Sequence, residues 1–167
     1  VAIPFGAAAR LVEVSADAPN MPNVNVGQAF SLFATIRNTG DEDLKDIKIQ
    51  LSSNGSSLFE AQQVIEQLEI GRDTTIEFEI EASFTPNASE VFSVQIVEAE
   101  GAESGLAALI QPPLGNSNRA IVIQSPASLD LDARIWSPVS AQDGVVGLGE
   151  SFEITSIVNN LAQSVTS

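Results

Sequence analysis

Residues 27–40 read Gly-Gln-Ala-Phe-Ser-Leu-Phe-Ala-Thr-Ile-Arg-Asn-Thr-Gly, and apolar and polar side chains alternate along most of this stretch. One face of an extended strand would carry the apolar residues Phe30, Leu32, Ala34 and Ile36, and the other face would carry Ser31, Thr35 and Arg37. Phe33 is the one apolar residue that breaks the polar face. A period of two residues, with glycine at both ends, predicts a half-buried β-strand.

The same pattern returns near the C-terminus, where residues 149–160 read Gly-Glu-Ser-Phe-Glu-Ile-Thr-Ser-Ile-Val-Asn-Asn. A constant offset of 122 positions (149 − 27) aligns Gly27 with Gly149, Phe30 with Phe152, Leu32 with Ile154, Ile36 with Val158 and Asn38 with Asn160. The repeat predicts one complete domain followed by the beginning of a second copy. The expected core positions are Phe30, Leu32 and Ile36 in the first copy and Phe152, Ile154 and Val158 in the second.

The composition is strongly acidic. The 167 residues include 22 Asp and Glu against 7 Lys and Arg, which gives a formal net charge of −15. Such a field repels phosphate backbones and anionic bilayer surfaces, so nucleic-acid binding is not expected. Hydrophobic residues make up 44% of the chain, which is enough to build a core. No run of about 18 apolar residues is present, so a membrane-spanning segment is not expected.

Three residue types are missing from the sequence: Cys, His and Tyr. Their absence removes thiol nucleophiles, histidine-based triads and tyrosine acid–base chemistry. The chain is therefore not expected to be an enzyme, and no cofactor is expected apart from the Ca²⁺ ion considered below. A cysteine-free chain also fits an extracellular or cell-surface location, where thiols oxidise.

Short alternating segments recur along the chain, separated by turns rich in Gly, Pro, Asn and Asp. We predict an edge strand at 10–16, a loop at 17–26, and further strands at 46–52, 74–83, 91–99 and 120–124. Residues 58–70 fit a strand better than a short helix over 59–68, because the surrounding segments are all β. About seven strands predict an all-β fold, an immunoglobulin-like (Ig-like) antiparallel β-sandwich, followed by the start of a second such domain.

The domain organisation follows from these segments. Residues 1–7 are predicted to be an arm or linker and residues 8–124 the sandwich. Residues 125–167 are predicted to hold a linker and the first two strands of a second, incomplete domain. Residues 106–110, Leu-Ala-Ala-Leu-Ile, are too apolar for a free loop and are expected to pack on the sandwich.

The repeated stretch also carries a family resemblance. The order Gly-x-x-Phe-x-Leu-x-Ala-x-Ile-x-Asn-x-Gly resembles the Ig-like repeats of bacterial and archaeal surface proteins, of the type called CARDB, the cell-adhesion-related domain found in bacteria. The resemblance covers residues 8–124 and again 127–160, where Asn160 is followed by Leu-Ala in place of Thr-Gly. It implies a modular, non-catalytic, surface-exposed role and brings no catalytic residues with it.

Carboxylates cluster in the turn after the first repeated strand, at Asp41, Glu42, Asp43 and Asp46. Ca²⁺ takes six to eight oxygen ligands, several of them from carboxylates, so these four residues are candidate calcium ligands. The cluster lacks the spacing of an EF-hand loop, and a solvated acidic turn is the favoured interpretation.

Two other acidic groups have competing explanations. Glu77, Glu79 and Glu81 share one strand face at a spacing that glycosidases use, but a solvated face that discourages edge aggregation is favoured. Asp130 and Asp132 follow the predicted domain boundary and are candidates for interdomain Ca²⁺, although the wet face of a strand is favoured.

Three further motifs concern modification and recognition. Asn54-Gly55-Ser56 and Asn87-Ala88-Ser89 match the N-glycosylation acceptor pattern in predicted loops, so Asn54 and Asn87 are candidate glycosylation sites. Trp136 is a candidate for sugar stacking, but a plug at a domain interface is favoured.

The favoured function is structural: a stretch of Ig-like domains that serves as the stalk, adhesin shaft or filament of an extracellular surface protein. Two strands are too few for independent stability, so the second domain needs completion in cis or by another chain. Head-to-tail strand donation would give a homo-oligomer or filament, with the apolar residues 1–9 as a candidate donor. The alternative is an ancillary carbohydrate- or surface-binding module of a larger secreted enzyme, which the aromatic content of 5% disfavours.

Overall fold

The computed structural model describes residues 6–18, 21–126, 128–137, 145, 147–149 and 151–160. Within those residues the chain forms β-strands and no helix, which confirms the all-β prediction. The strands are β1 (Ala8–Asp17), β2 (Asn23–Asn25), β3 (Ala29–Asn38), β4 (Leu44–Ser53), β5 (Leu58–Phe59), β6 (Gln62–Leu68), β7 (Asp73–Glu81), β8 (Asn87–Gly101), β9 (Leu109–Gln111), β10 (Asn118–Gln124), β11 (Leu129–Ser137) and β12 (Glu153–Asn160).

The chain divides into two compact units, one running to Gln124 and the other beginning at Ser125. In the described residues of the first unit, two five-stranded sheets are ordered β5-β7-β3-β1-β9 and β2-β10-β8-β4-β6. Neighbouring strands are antiparallel except where β9 runs beside β1 and β2 runs beside β10. The predicted Ig-like sandwich is confirmed, with short additional strands at its edges.

Strand β3 is formed by the alternating stretch and lies between β1 and β7 in its sheet. Its inward residues Leu32, Ala34 and Ile36 are fully buried, and Phe30 is nearly so. Phe33, on the opposite face, is half-buried. The period of two in the sequence therefore becomes one buried and one partly solvated face of the sheet.

The second sheet supplies the other half of the core through β4, β8 and β10. Its inner face consists of buried apolar side chains: Leu44, Ile47, Ile49, Leu51, Phe92, Val94, Ile96, Ile121 and Ile123. The Phe92 ring meets the ring of Phe30 edge-on with 5.7 Å between centroids, and that of Phe59 with 6.0 Å. Because the chain contains no cysteine, apolar packing of this kind holds the two sheets together.

Three segments differ from the sequence prediction. The helical alternative for residues 59–68 is wrong, because β5 and β6 occupy this region. The predicted loop at 17–26 contains β2, which pairs with β10. The predicted edge strand at 10–16 is longer, and its first three residues lie between β3 and β9. Strands of two or three residues are too short to show a period, so alternation does not reveal them.

The apolar stretch 106–110 is packed only in part. Its last residues form β9, which pairs with β1, and Ala108 packs against the core. Leu106 and Leu109 are 69% and 61% exposed, so the expectation of packing is wrong for these two side chains. An outermost strand satisfies its backbone through one neighbour while its side chains stay accessible.

The described residues of the second unit form an antiparallel pair of strands, β11 and β12. Phe152, Ile154 and Val158 are 48%, 61% and 62% exposed, so the burial expected at these three repeat positions is not found. The reason is architectural, because two strands form one layer and a sheet buries its apolar face only against a second layer.

Candidate interaction site

The β11–β12 pair has the register of the β1–β3 pair at the start of β11, but the bulge that lies between Leu11 and Glu13 in β1 lies between Ile135 and Ser137 in β11. In β1–β3 the directly opposed residues include Ala9 and Asn38, Leu11 and Ile36, and Ala16 and Leu32. In β11–β12 they include Leu129 and Asn160, Leu131 and Val158, and Ile135 and Ile154. The offset of 122 positions aligns the β3 residues of these pairs with the β12 residues: Leu32 with Ile154, Ile36 with Val158 and Asn38 with Asn160.

A glycine in the left-handed region of backbone space precedes both β3 and β12, with φ of 66° at Gly27 and 84° at Gly149. Residues with a side chain rarely adopt this conformation, which explains why glycine stands at both places. A Cβ atom at Gly27 would also lie 2.8 Å from the exposed ring of Phe84, which would have to move. The glycine conformation and the register at the start of β1 and β11 thus agree between the two units.

One side of the β11–β12 pair is apolar, because directly opposed residues of antiparallel strands project to the same side. We call four of its side chains the β11–β12 apolar face: Leu129, Leu131, Ile154 and Val158, which are 68%, 65%, 61% and 62% exposed. The β3 residues at the corresponding places, Leu32 and Ile36, are fully buried. A contiguous exposed apolar surface of this kind is typical of an interaction site.

The opposite side of the β11–β12 pair carries Asp130, Asp132, Arg134 and Thr155, together with the apolar Ile157 opposite Asp132. Arg134 Nη2 donates a hydrogen bond to Asp132 Oδ2, so one carboxylate of the predicted interdomain calcium pair already has a cationic partner. The two faces of this pair therefore differ in polarity, as they do in antiparallel sheets with one face packed and the other solvated.

Two of the four predicted calcium ligands of the first unit, Glu42 and Asp43, accept local hydrogen bonds. Ser104 donates from its backbone N–H (3.0 Å) and its hydroxyl (2.7 Å) to the carboxylate of Glu42, and these bonds lower the pKa of Glu42. Asp43 Oδ1 accepts from the N–H of Ile70 at 2.9 Å. Among the residues that the structure describes, no three Asp, Glu, His or Cys side chains are grouped so as to hold a metal ion.

Asn38 has a structural role that the repeat motif alone does not reveal. Its buried amide nitrogen donates to the carbonyl oxygens of Glu42 (2.9 Å) and Leu68 (3.0 Å), and its Oδ1 accepts from the N–H of Gly40 (3.0 Å). Leu68 belongs to β6, so this amide ties the first sheet to the second. A Cβ atom on Gly40 would lie 2.5 Å from the backbone nitrogen of Ala8, which explains the glycine.

Glu90 is a fully buried carboxylate that was not predicted to have a role. It accepts hydrogen bonds from the hydroxyls of Ser53 (2.5 Å) and Ser57 (2.9 Å) and from the backbone N–H of Ser57 (3.2 Å). A Cβ atom on Gly55 would lie 2.2 Å from Glu90 Cδ, so glycine is required where the loop after β4 crosses this group. The buried carboxylate therefore fixes the loop between β4 and β5. In the sequence, the only sign of this buried role is a charged residue next to apolar residues at the start of a strand.

Both candidate glycosylation sites lie in the first unit. Asn54 is exposed, and its Oδ1 accepts from the N–H of Val91 at 2.7 Å. Asn87 is the first residue of β8, so the predicted loop is wrong at this site; its side chain is half-buried, and its Oδ1 accepts from the N–H of Ser89 at 3.1 Å. Glycosylation at these residues stays a prediction.

Glu77, Glu79 and Glu81 point outward along β7 and are exposed, while Phe78 and Ile80 between them are buried. Glu77 Oε1 accepts a hydrogen bond from the hydroxyl of Ser31 at 2.5 Å. The row is thus a solvated strand face, as favoured from the sequence.

The last three residues of the predicted donor arm, residues 1–9, belong to the first unit. Ala7, Ala8 and Ala9 are buried in the sandwich, and the carbonyl of Ala7 accepts from the N–H of Leu109 at 2.8 Å. Residues 1–5 and the side chain of Trp136 lie outside the described part of the structure.

Two layers of mainly antiparallel strands around an apolar interior define an Ig-like β-sandwich domain. The CARDB family model matches residues 11–102, which is more than half of the sequence. The chain belongs to the CARDB family. No helix in the described residues has the length and apolar character that crossing a membrane requires.

Solved structures with a similar fold come from several proteins. Native alpha-2-macroglobulin from Escherichia coli, in a structure from domain MG7 to the C-terminus, matches with a TM-score of 0.51 and 14% identity. This match covers 80% of the present chain but only 19% of that one. The CARDB domain of a Pyrococcus furiosus protein, in complex with di-metal ions, matches with a TM-score of 0.47 and 8% identity, covering 74% and 94% of the two chains. None of the curated proteins compared with the chain matches it.

Proposed function

We propose that this chain is a non-catalytic structural segment of an extracellular surface protein, in which the CARDB sandwich is a spacer between neighbouring Ig-like domains. The observation that carries the proposal is the path of the chain through the first unit, which enters at one end of the sandwich and leaves at the other. Domains connected in this way add their lengths and build a stalk or shaft.

Strand pairing defines the two ends. Strand β1 starts beside the end of β3, with Ala9 opposite Asn38, and finishes beside the beginning of β3, with Asp17 opposite Ser31. Strand β10 ends at Gln124, whose carbonyl accepts from the N–H of Val26 at 3.0 Å, just before β3 begins. Entry and exit are therefore separated by about the length of β1, which is roughly 33 Å for ten residues.

The chemistry of the described surface supports a non-catalytic role. A cavity of about 250 Å³ beside β9 is lined by small and apolar residues and a single carboxylate: Gly6, Ala7, Ala8, Glu42, Leu106, Ala107 and Leu109. That carboxylate is already bonded to Ser104 and has no neighbouring base or nucleophile in the lining. The buried carboxylate of Glu90 is likewise satisfied by serine donors.

Charge and composition support the extracellular placement. The net charge of −15 keeps copies of an extended protein soluble and apart at high density. The absence of cysteine leaves no thiol to oxidise outside the cell. The carbohydrate-binding alternative has less support, because Phe84 and Phe152, the large exposed aromatic groups among the described side chains, belong to different units.

Single-molecule force spectroscopy on the full chain tests the spacer proposal. Pulling across the first unit loads β1 and β10 along their axes, so their hydrogen bonds resist in shear rather than opening one at a time. We expect a discrete rupture event followed by a contour-length gain of about 350 Å. Extension without a rupture peak would contradict a load-bearing role.

Labelling of intact source cells tests the location separately. Antibodies against the first unit are expected to bind unpermeabilised cells, and external protease is expected to remove the epitope. Labelling that needs permeabilised cells would contradict the extracellular placement without affecting the mechanical result.

A further inference from the structure

The loop that follows β4 contains the one Asn-Gly dipeptide of the sequence, Asn54-Gly55, and both residues are exposed. The backbone nitrogen that follows an asparagine can attack the amide carbon Cγ of that side chain, because the two atoms are held close in one chain and close a five-membered ring. Glycine favours this attack, since it has no Cβ to crowd the ring and its backbone is the least restricted. The lack of a Cβ also lets Gly55 lie against the carboxylate of Glu90.

The attacking nitrogen is linked to this buried carboxylate through one hydroxyl group. The N–H of Gly55 donates to Ser53 Oγ at 2.9 Å, and the hydroxyl of Ser53 donates to Glu90 Oε1 at 2.5 Å. Glu90 is fully buried, and the ion pairs among the described residues do not include it. Its carboxylate is therefore placed to accept, through Ser53, the proton that the nitrogen loses as it attacks.

The carbon that would be attacked is polarised by a backbone donor. The N–H of Val91 donates to Asn54 Oδ1 at 2.7 Å, and the N–H of Asn54 donates to the carbonyl oxygen of Val91 at 3.2 Å. These two bonds hold the side-chain amide of Asn54 beside β8. Negative charge develops on Oδ1 as Cγ becomes tetrahedral, and a fixed N–H donor stabilises that charge.

We propose that Asn54-Gly55 is a self-modification site, at which the folded chain converts Asn54 into aspartate or isoaspartate. The Gly55 nitrogen forms a bond to Cγ of Asn54, while its proton passes to Ser53 Oγ and the hydroxyl proton of Ser53 passes to Glu90 Oε1. The bond between Cγ and Nδ2 then breaks. Nδ2 leaves as ammonia with the proton that Glu90 returns through Ser53, and a cyclic imide remains.

Water completes the conversion by opening the imide. Cleavage between Cγ and the Gly55 nitrogen gives aspartate, and cleavage between the backbone carbonyl carbon of position 54 and that nitrogen gives isoaspartate, with one extra carbon atom in the backbone. Either product adds a negative charge to the loop and removes the amide that N-glycosylation of Asn54 would require. Each chain reacts once, so the proposal goes beyond the spacer role and does not conflict with a non-catalytic protein.

Incubation of the full chain at neutral pH, followed by peptide mapping in a mass spectrometer, measures the rate of this conversion. The mapping detects the mass difference between an amide and a carboxylate at Asn54. A synthetic peptide with the sequence of residues 51–58 is incubated in the same buffer, because it contains the dipeptide without the fold. We expect the folded chain to react about tenfold or more faster than the peptide, since a positioned base and donor accelerate the attack. An equal or slower rate in the folded chain would overturn the proposal.

Variants of two neighbouring serines separate the proton path from general loosening of the loop. Ser53→Ala removes the hydroxyl and is expected to slow the reaction by about tenfold or more, whereas Ser53→Thr keeps a hydroxyl and is expected to retain most of the rate. Ser52 donates instead to the carbonyl oxygen of Ser93, so Ser52→Ala is the matched control and is expected to react like the unmodified chain. A Ser53→Ala chain that reacts as fast as the unmodified chain would show that the proposal is wrong.

The carboxylate is tested in the same assay. Glu90→Gln keeps the size of the side chain but replaces the proton acceptor by an amide, so this variant is expected to react as slowly as Ser53→Ala. A Glu90→Gln chain that shows a cooperative unfolding transition and still reacts at the unmodified rate would contradict the role of Glu90. The comparison of the unmodified chain with the peptide needs no substitution, so it decides the proposal even if Glu90→Gln does not fold.

Discussion

The two units of this chain contain the same pair of strands in two different situations. In the first unit β1 and β3 form one layer of a closed sandwich, and Leu32 and Ile36 are fully buried. In the second, β11 and β12 form the corresponding antiparallel pair, yet Ile154 and Val158 are more than half exposed. Alternation of apolar residues therefore determines which face of a strand would be buried, and the facing sheet determines whether it is.

Truncation at one pair of equivalent positions gives the largest expected contrast. Leu32→Ala is expected to destabilise the first unit by about 2–5 kcal/mol, because it leaves a cavity in a packed core. Ile154→Ala removes a mostly exposed side chain and is expected to change stability by less than about 0.5 kcal/mol. Urea denaturation of the full chain measures both. Similar losses for the two variants would show that Ile154 is buried in solution.

A smaller contrast concerns the turn that follows the repeated strand, because Gly40 follows Asn38 in the first unit while Leu-Ala follows Asn160. Gly40→Ala would place a Cβ atom 2.5 Å from backbone atoms of Ala8 and Gly6, and is expected to cost about 1–3 kcal/mol. Gly6→Ala, with no neighbour within 4 Å, is the matched control and is expected to be nearly neutral. A neutral Gly40→Ala variant in thermal denaturation would contradict the tight approach of β1 to this turn.

These positions show which features of the structure can be predicted from the sequence. The buried face of β3 and the solvated face of β7 follow from alternation and were predicted correctly. The exposure of Phe152 and Ile154 was not predicted, because a periodic pattern carries no information about the layer opposite it. Glu90 was missed for a related reason, since its serine partners lie more than thirty residues away in sequence.

Acidification tests a surface ion pair that belongs to the first unit. Arg37 donates to Asp73 at 2.5 and 2.6 Å, and this hydrogen bonding lowers the pKa of Asp73. Because the folded-state pKa is lowered, the stabilisation is present above the ordinary Asp pKa of about 3.9 and is lost as pH falls through the lowered value. Asp73→Asn is therefore expected to flatten the fall of Tm on the acid side. Asp130→Asn, in the second unit, is the control. If Tm falls identically with pH for Asp73→Asn and for the unmodified chain, the Arg37–Asp73 pair does not contribute to stability.

Calcium is expected to have the smallest effect. The carboxylates of Glu42 and Asp43 already accept hydrogen bonds from Ser104 and Ile70, and Ca²⁺ would have to displace these donors. Differential scanning calorimetry with excess Ca²⁺ and with chelator is expected to give the same Tm. A calcium-dependent increase that Glu42→Gln removes would instead establish a metal site in this turn.

Amide hydrogen exchange on the unmodified full chain tests the central comparison most directly, because it reports on β3 and β12 in the same sample. The structure predicts that the amides of Leu32 and Ile36 exchange only through unfolding of the whole first unit. It predicts that those of Ile154 and Val158 exchange orders of magnitude faster, at a rate independent of protein concentration. Equal protection of the two strands would contradict the distinction between a covered and an uncovered sheet.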